Sequence, residues 1–162
     1  NHAAGLLSPD FGFQRWPDFN AALWKNLLEE AETTKRELPA NLIFGSDRDK
    51  RAVDLARRNA DSAGIGAKIR WSYNDFAKLE APASQGTLIC NPPYGERLGN
   101  EEELTAFYRK IGDTFKQNWK GWTAWVFTGN LALAKQVGLK ASRRIVLYNG
   151  PIECRLLKYE LY

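Results

Sequence analysis

The sequence holds a single histidine and two cysteines in 162 residues. Cys90 and Cys154 form no metal-type spacing, so a zinc site is not expected, and no other metal is called for. Both lie in apolar, strand-like runs and read as free, buried thiols of a reducing cytoplasm. No apolar run approaches the ~18 residues of a membrane span, and no signal-peptide pattern opens the chain. A membrane is therefore not among the expected partners. Internal repeats, low-complexity tracts and linkers are also lacking.

What remains is an ordinary globular composition, 44% hydrophobic and 26% charged, in a length that fits one domain. The net charge of +4 permits a polyanionic partner without requiring one. Six tryptophans supply mostly core, with room for some stacking surface.

The informative stretch is Leu88-Ile89-Cys90-Asn91-Pro92-Pro93-Tyr94. A short apolar run that stops at a turn signal is consistent with a buried strand. Proline donates nothing to a sheet ladder, so the strand ends at Asn91. The result is a stiff elbow at the carboxyl end of a strand, where open α/β sheets bind ligands. Pro92 and Pro93 bring carbonyl acceptors, and Asn91 adds a side-chain acceptor. Acceptors converging on one point suit a group with two N–H bonds, such as the exocyclic amine of a nucleobase. Holding both hydrogens would turn the nitrogen lone pair outward, towards an electrophile. Tyr94 offers a ring on which a base can stack, worth ~1–3 kcal/mol in single-stranded recognition. The alternative is a rigid structural turn.

Asn91-Pro92-Pro93-Tyr94 resembles the fourth motif of S-adenosylmethionine-dependent amino-methyltransferases that act on nucleic acid bases. The longer run Asn91 to Leu98 is similar to bacterial large-subunit rRNA guanine-N2 methyltransferases, a group often labelled adenine-N6-specific DNA methylases. The extension Gly95–Leu98 favours rRNA over DNA; the four-residue motif alone does not. The resemblance implies a Rossmann-like, class I α/β methyltransferase fold with S-adenosyl-L-methionine as cofactor and rRNA as partner. The oligomeric state stays open.

Along the chain, Phe11, Phe13 and Trp16 are either a flap packed on the core or part of a base-binding wall, with packing the expected role. A helix is expected from Asp18, as cap, to about Leu38, with Phe19, Leu23, Leu27 and Ala31 as its apolar stripe. Asn41–Ser46 reads as a strand whose buried run is Leu42, Ile43 and Phe44, followed by Asp47-Arg48-Asp49. A carboxylate just past a parallel strand either accepts from two ribose hydroxyls or caps the next helix. The family resemblance assigns Asp47, with Arg48 beside it, to the cofactor ribose, counts Asn91 among the cofactor contacts as well, and leaves Asp49 to capping. Lys50–Ala63 reads as a helix closed by Gly64. Lys68–Tyr73 reads as an outer strand, followed by Asp75 and Phe76. Asp75 forms an Asx-turn or accepts from the adenine amine; the family's third motif favours the second, with Phe76 covering the ring. A helix at 101–119, a strand at 121–127, a short helix at 131–137 and two strands at 142–148 and 152–161 complete the pattern. Asn149-Gly150 signals a hairpin that Pro151 makes irregular, and a terminal antiparallel hairpin is a class I feature.

One part of the resemblance is missing. The family has a glycine-rich turn after its first strand, where the backbone approaches the methionine end of the cofactor. Gly64-Ile65-Gly66 connects a helix to a strand and cannot serve. Residues 1–162 are therefore expected to be the C-terminal portion of a methyltransferase catalytic domain. The first strand and helix, with the upstream THUMP domain, are expected outside them. Loss of that central strand should leave two unpaired sheet edges.

Overall fold

A computed structural model describes residues 10–39, 41–94 and 100–162. The chain divides into two compact units, one ending at Tyr73 and the other starting at Asn74. The architecture is α/β, with parallel pairing in both units and an antiparallel hairpin at the C-terminal end.

In the first unit, β1 (Ile43–Asp47) pairs in parallel with β2 (Ile69–Tyr73). Gly45 lies opposite Trp71, whose ring fills the space where a Cβ would stand at 2.5 Å. Helix α2 (Lys50–Ser62) starts at Asp49, whose carboxylate accepts from the Arg51 amide at 2.8 Å, as expected of a cap. It is closed by Gly64 at φ 71, the left-handed residue such an ending requires.

Helix α1 (Ala21–Thr33) departs from expectation at both ends. Its cap is Asn20, not Asp18, with the Asn20 side chain accepting from the Leu23 amide at 2.9 Å. It stops well short of Leu38. Thr33 and Thr34 turn their hydroxyls onto the carbonyls of Glu30 and Ala31, a local alternative to continuing the helix. The apolar stripe is not buried: Leu23 is 55% and Leu27 46% exposed. Leu42, Ile43 and Phe44 are likewise exposed rather than buried. The reason is that β1 has β2 on one edge and α2 against it, with no other described strand paired to it. Phe13 meets Phe11, Trp16, Phe19 and Trp24 in one aromatic cluster, which packs these rings on one another rather than on the buried core and leaves Trp16 64% exposed.

The second unit holds most of the core. Its four-stranded sheet has the order β3-β4-β6-β5, built from Gly86–Cys90, Trp122–Thr128, Ile152–Glu160 and Arg143–Asn149. Helix α3 (Glu101–Asn118) is capped by Asn100 and carries three glutamates in its first turn, at the positive end of the dipole. Its Leu104, Tyr108, Ile111 and Phe115 pack against Ala124, Val126, Leu157 and Tyr159 of the sheet. Helix α4 (Leu131–Gln136), capped by Asn130, adds Leu133 and Ala134 to the same core. Among the described residues, β3 pairs with β4 alone and β1 with β2 alone, so β1 and β3 each keep one unpaired edge. Leu88 and Cys90 pack on the core while Ile89, pointing to the opposite face, is 72% exposed. The run Leu88–Cys90 is thus half-buried, not fully buried.

Burial pushes the phenols of Tyr108 and Tyr159 up from 10 to about 12. The fold favours their neutral forms, so this contribution is complete below pH 10 and is lost as pH rises towards 12. Unfolding free energy is expected to fall between about pH 9 and pH 11 by about 1 kcal/mol for each phenol, and the thermal midpoint with it. A flat profile over that range would contradict this. Among the described residues, no helix is long and apolar enough to cross a membrane.

Candidate active site

The elbow begins where β3 ends at Cys90. Asn91 is exposed, and its side chain has no hydrogen-bond partner among the described residues, which leaves its amide oxygen available as an acceptor. Pro92 is buried and Pro93 half-buried, so the two rings anchor the turn while Asn91 projects from it. Burial also pushes the Cys90 thiol up to about 12. It stays protonated at neutral pH and supplies no thiolate nucleophile beside the elbow. Gly95–Leu98, including Arg97, lies outside the described residues.

Tyr94 is half-buried and held from several sides. Its ring meets Phe127 edge-on, centroids 6.2 Å apart at 80°. Its hydroxyl accepts from Asn149 Nδ2 at 2.9 Å. The neighbouring strand end, at Thr128, is fixed by a buried polar chain. Tyr108 and Thr128 share a hydrogen bond of 2.9 Å, and the Thr128 hydroxyl accepts from the Asn130 amide at 3.1 Å.

Asp75 belongs to the same unit as the elbow. Its Oδ1 accepts from the Ala77 amide at 2.9 Å and starts a single 3₁₀ turn, so the Asx-turn alternative is realised at that oxygen. Lys110 stands 3.4 Å from Oδ2. The Ala77 amide first, and Lys110 second among the favourable contacts, hold this carboxyl below its usual range. Phe76 packs edge-on against Phe115, with centroids 5.7 Å apart. Asp47 closes β1 in the first unit. Its Oδ1 accepts from the Asp49 amide at 2.8 Å, and both it and Arg48 are exposed. Each aspartate thus spends one oxygen on local structure.

Taken separately, each aspartate keeps one carboxylate oxygen that can accept from a donor such as a hydroxyl or an amine. For the methionine part of S-adenosylmethionine the donor set does not fit. No described strand is followed by a glycine-rich turn, and Gly45 lies within β1 beneath Trp71. The described residues contain no group of three or more His, Cys, Asp or Glu that could hold a metal ion.

Sequence reasoning missed two contributors. Asn149 was legible only as a hairpin signal; of the Tyr108–Thr128 pair, Tyr108 was legible only as part of a helical apolar stripe, and Thr128 falls just past the strand expected at 121–127. Nothing in sequence spacing brings Asn149 to Tyr94.

The Synechocystis sp. protein slr0064, which carries a provisional RNA-methyltransferase name, is 49% identical over this whole chain and 42% of its own length. The ribosomal RNA large subunit methyltransferase K/L of Syntrophotalea carbinolica is 42% identical over 98% of the chain and 23% of its own length. The chain thus spans less than half of either relative. Among solved structures, SMU.472, a provisionally named methyltransferase complexed with SAH, superposes with a TM-score of 0.82 at 29% identity. That match covers 96% of this chain and 41% of the other. Its fold is the class I fold of S-adenosylmethionine-dependent methyltransferases. A family model, RMKL-like, methyltransferase domain, matches residues 4–158. The chain belongs to the RMKL-like methyltransferase domain family.

Proposed function

We propose that this chain is the methyl-transferring part of an RNA methyltransferase that modifies guanine N2 in large-subunit rRNA, with S-adenosylmethionine as methyl donor. The observation that carries this reading is the elbow: an exposed Asn91 anchored by the two prolines that follow it, with the oriented ring of Tyr94 three residues on. The Syntrophotalea relative's name, with its ribosomal RNA substrate, supports RNA over DNA. An rRNA substrate puts the reaction in the cytoplasm.

In this reading the target base leaves its helix to reach the elbow. The Asn91 side-chain oxygen and the Pro92 and Pro93 carbonyls accept from the exocyclic amine. That removes lone-pair density from the ring and directs it at the donor methyl. Tyr94 supports the base plane. When bound, S-adenosylmethionine supplies an electrophilic methyl group. By the family resemblance, Asp47 would hold its ribose, and Asp75 and Phe76 would hold its adenine. The attacking nitrogen becomes acidic on methylation, so its proton passes to solvent without a dedicated strong base.

Among the described residues, β1 and β3 each have an edge with no paired strand. We assign the glycine-rich turn to a strand outside these 162 residues. The isolated chain is then expected to bind S-adenosylmethionine at least about a hundredfold more weakly than the full-length protein, the loss of two or three backbone hydrogen bonds. Calorimetry giving equal affinities would contradict the assignment. The function is tested by offering the full-length protein unmodified rRNA and duplex DNA with labelled cofactor. Label in rRNA alone is expected, and label in DNA alone would favour adenine N6.

A further inference from the structure

We propose that Asn149, at the end of β5, is a positioning residue that sets the orientation of Tyr94. The proposal rests on the reading of Asn91–Tyr94 as the base-binding elbow.

Two prolines fix the backbone that leads into Tyr94, but they leave its side-chain torsions free. Contacts from β4 and the hairpin fix the ring. Phe127 meets it edge-on. Gly129 leaves it room, since a Cβ there would stand 2.8 Å from Tyr94 Cε2 and 3.0 Å from Cδ2. At the far end of the ring, Asn149 Nδ2 donates to the hydroxyl at 2.9 Å, across 55 residues of sequence. The buried Cys154 Sγ lies 3.8 Å from the same hydroxyl.

The hairpin explains why Asn149 is available. Asn149 is the last ladder residue, paired with Ile152, so the turn consists of Gly150 and Pro151 alone. Gly150 has φ 59, and the proline ring holds the next φ negative. That sign pattern is type II′, a turn that hairpins favour. The proline therefore fits the turn rather than making it irregular, and the Asn149 side chain is not needed to close it. The pairing of Leu147 with Cys154 and of Phe127 with Leu156 puts Asn149, Cys154 and Phe127 on one face of the sheet. That face receives Tyr94.

An aromatic ring already held in place needs no ordering when the base arrives, which is an effect on turnover rather than on docking. In full-length protein assayed on unmodified rRNA, Asn149→Ala is expected to lower kcat about tenfold, the weight of one hydrogen bond. The KM values for RNA and for cofactor should stay within about twofold, because phosphate contacts dominate RNA binding. Tyr94→Phe should lose a similar factor, and the double variant no more than either single one. Asn149→Asp, whose carboxylate accepts from the phenol, should restore most of the rate. Asn149 is exposed, so the thermal midpoint should move by less than about 2 °C. Wild-type kcat in Asn149→Ala, or losses that multiply in the double variant, would overturn the proposal. Asn91→Ala, run alongside, separates the two levels. If it abolishes transfer while Asn149→Ala has no effect, only the positioning role falls; if it keeps wild-type rate, the elbow reading falls with it.

Discussion

Asn91→Ala in the full-length protein is expected to lower methyl transfer by about a hundred- to a thousandfold, the usual loss for one preorganised polar contact on a reacting group. The side chain is exposed and has no partner among the described residues, so its removal leaves nothing unsatisfied in the fold. Thermal stability should be unchanged to within about 0.5 kcal/mol. Cofactor affinity should fall by much less than methyl transfer, because the base is the main partner of the amide in this reading. The expected signature is a collapse of kcat in a normally folded protein that still binds S-adenosylmethionine. Asn91→Asp keeps one acceptor oxygen, and its activity should lie between the two. Transfer at the wild-type rate by Asn91→Ala would remove the elbow from the mechanism.

Gly112→Ala should have the largest effect on stability. Gly112 is buried within α3, and a Cβ there would run into the backbone carbonyl of Val137, just past α4. Backbone cannot step aside as a flexible side chain can. The two helices must separate, and the core that Leu133, Ala134 and Val137 share with Ile111 and Phe115 loosens. The expected cost is about 3 kcal/mol, the upper end for overpacking. In a domain of this size that lowers the midpoint by about 6–12 °C in calorimetry. A midpoint within about 1 °C of wild type would show that this contact is not tight. The helix propensity of alanine works the other way by about 1 kcal/mol, so the prediction also tests which effect wins.

The second unit was largely legible in the sequence. Leu104, Tyr108, Ile111 and Phe115 recur at helical spacing and do form the buried face of α3. The Asn-Pro-Pro turn ends β3, and the hairpin strands fall within a residue or two of their expected limits. Burial in the first unit was not legible. Apolar runs such as Leu42–Phe44 and the Leu23–Leu27 stripe show which surface is suited to burial, not whether anything covers it. Helix caps were legible to within two residues, since Asp18 and Asn20 are equally good candidates by type. In the site, capping by Asp49 was legible because it is local. The Asn149–Tyr94 contact was not, because it depends on strand order and register.

The central claim is that this elbow presents a guanine N2 amine of RNA for methylation. The most direct measurement digests rRNA methylated by the full-length protein to nucleosides and identifies the labelled product. The account predicts N2-methylguanosine, absent when Asn91→Ala replaces the wild type. N6-methyladenosine, or a product that Asn91→Ala forms equally well, would contradict it.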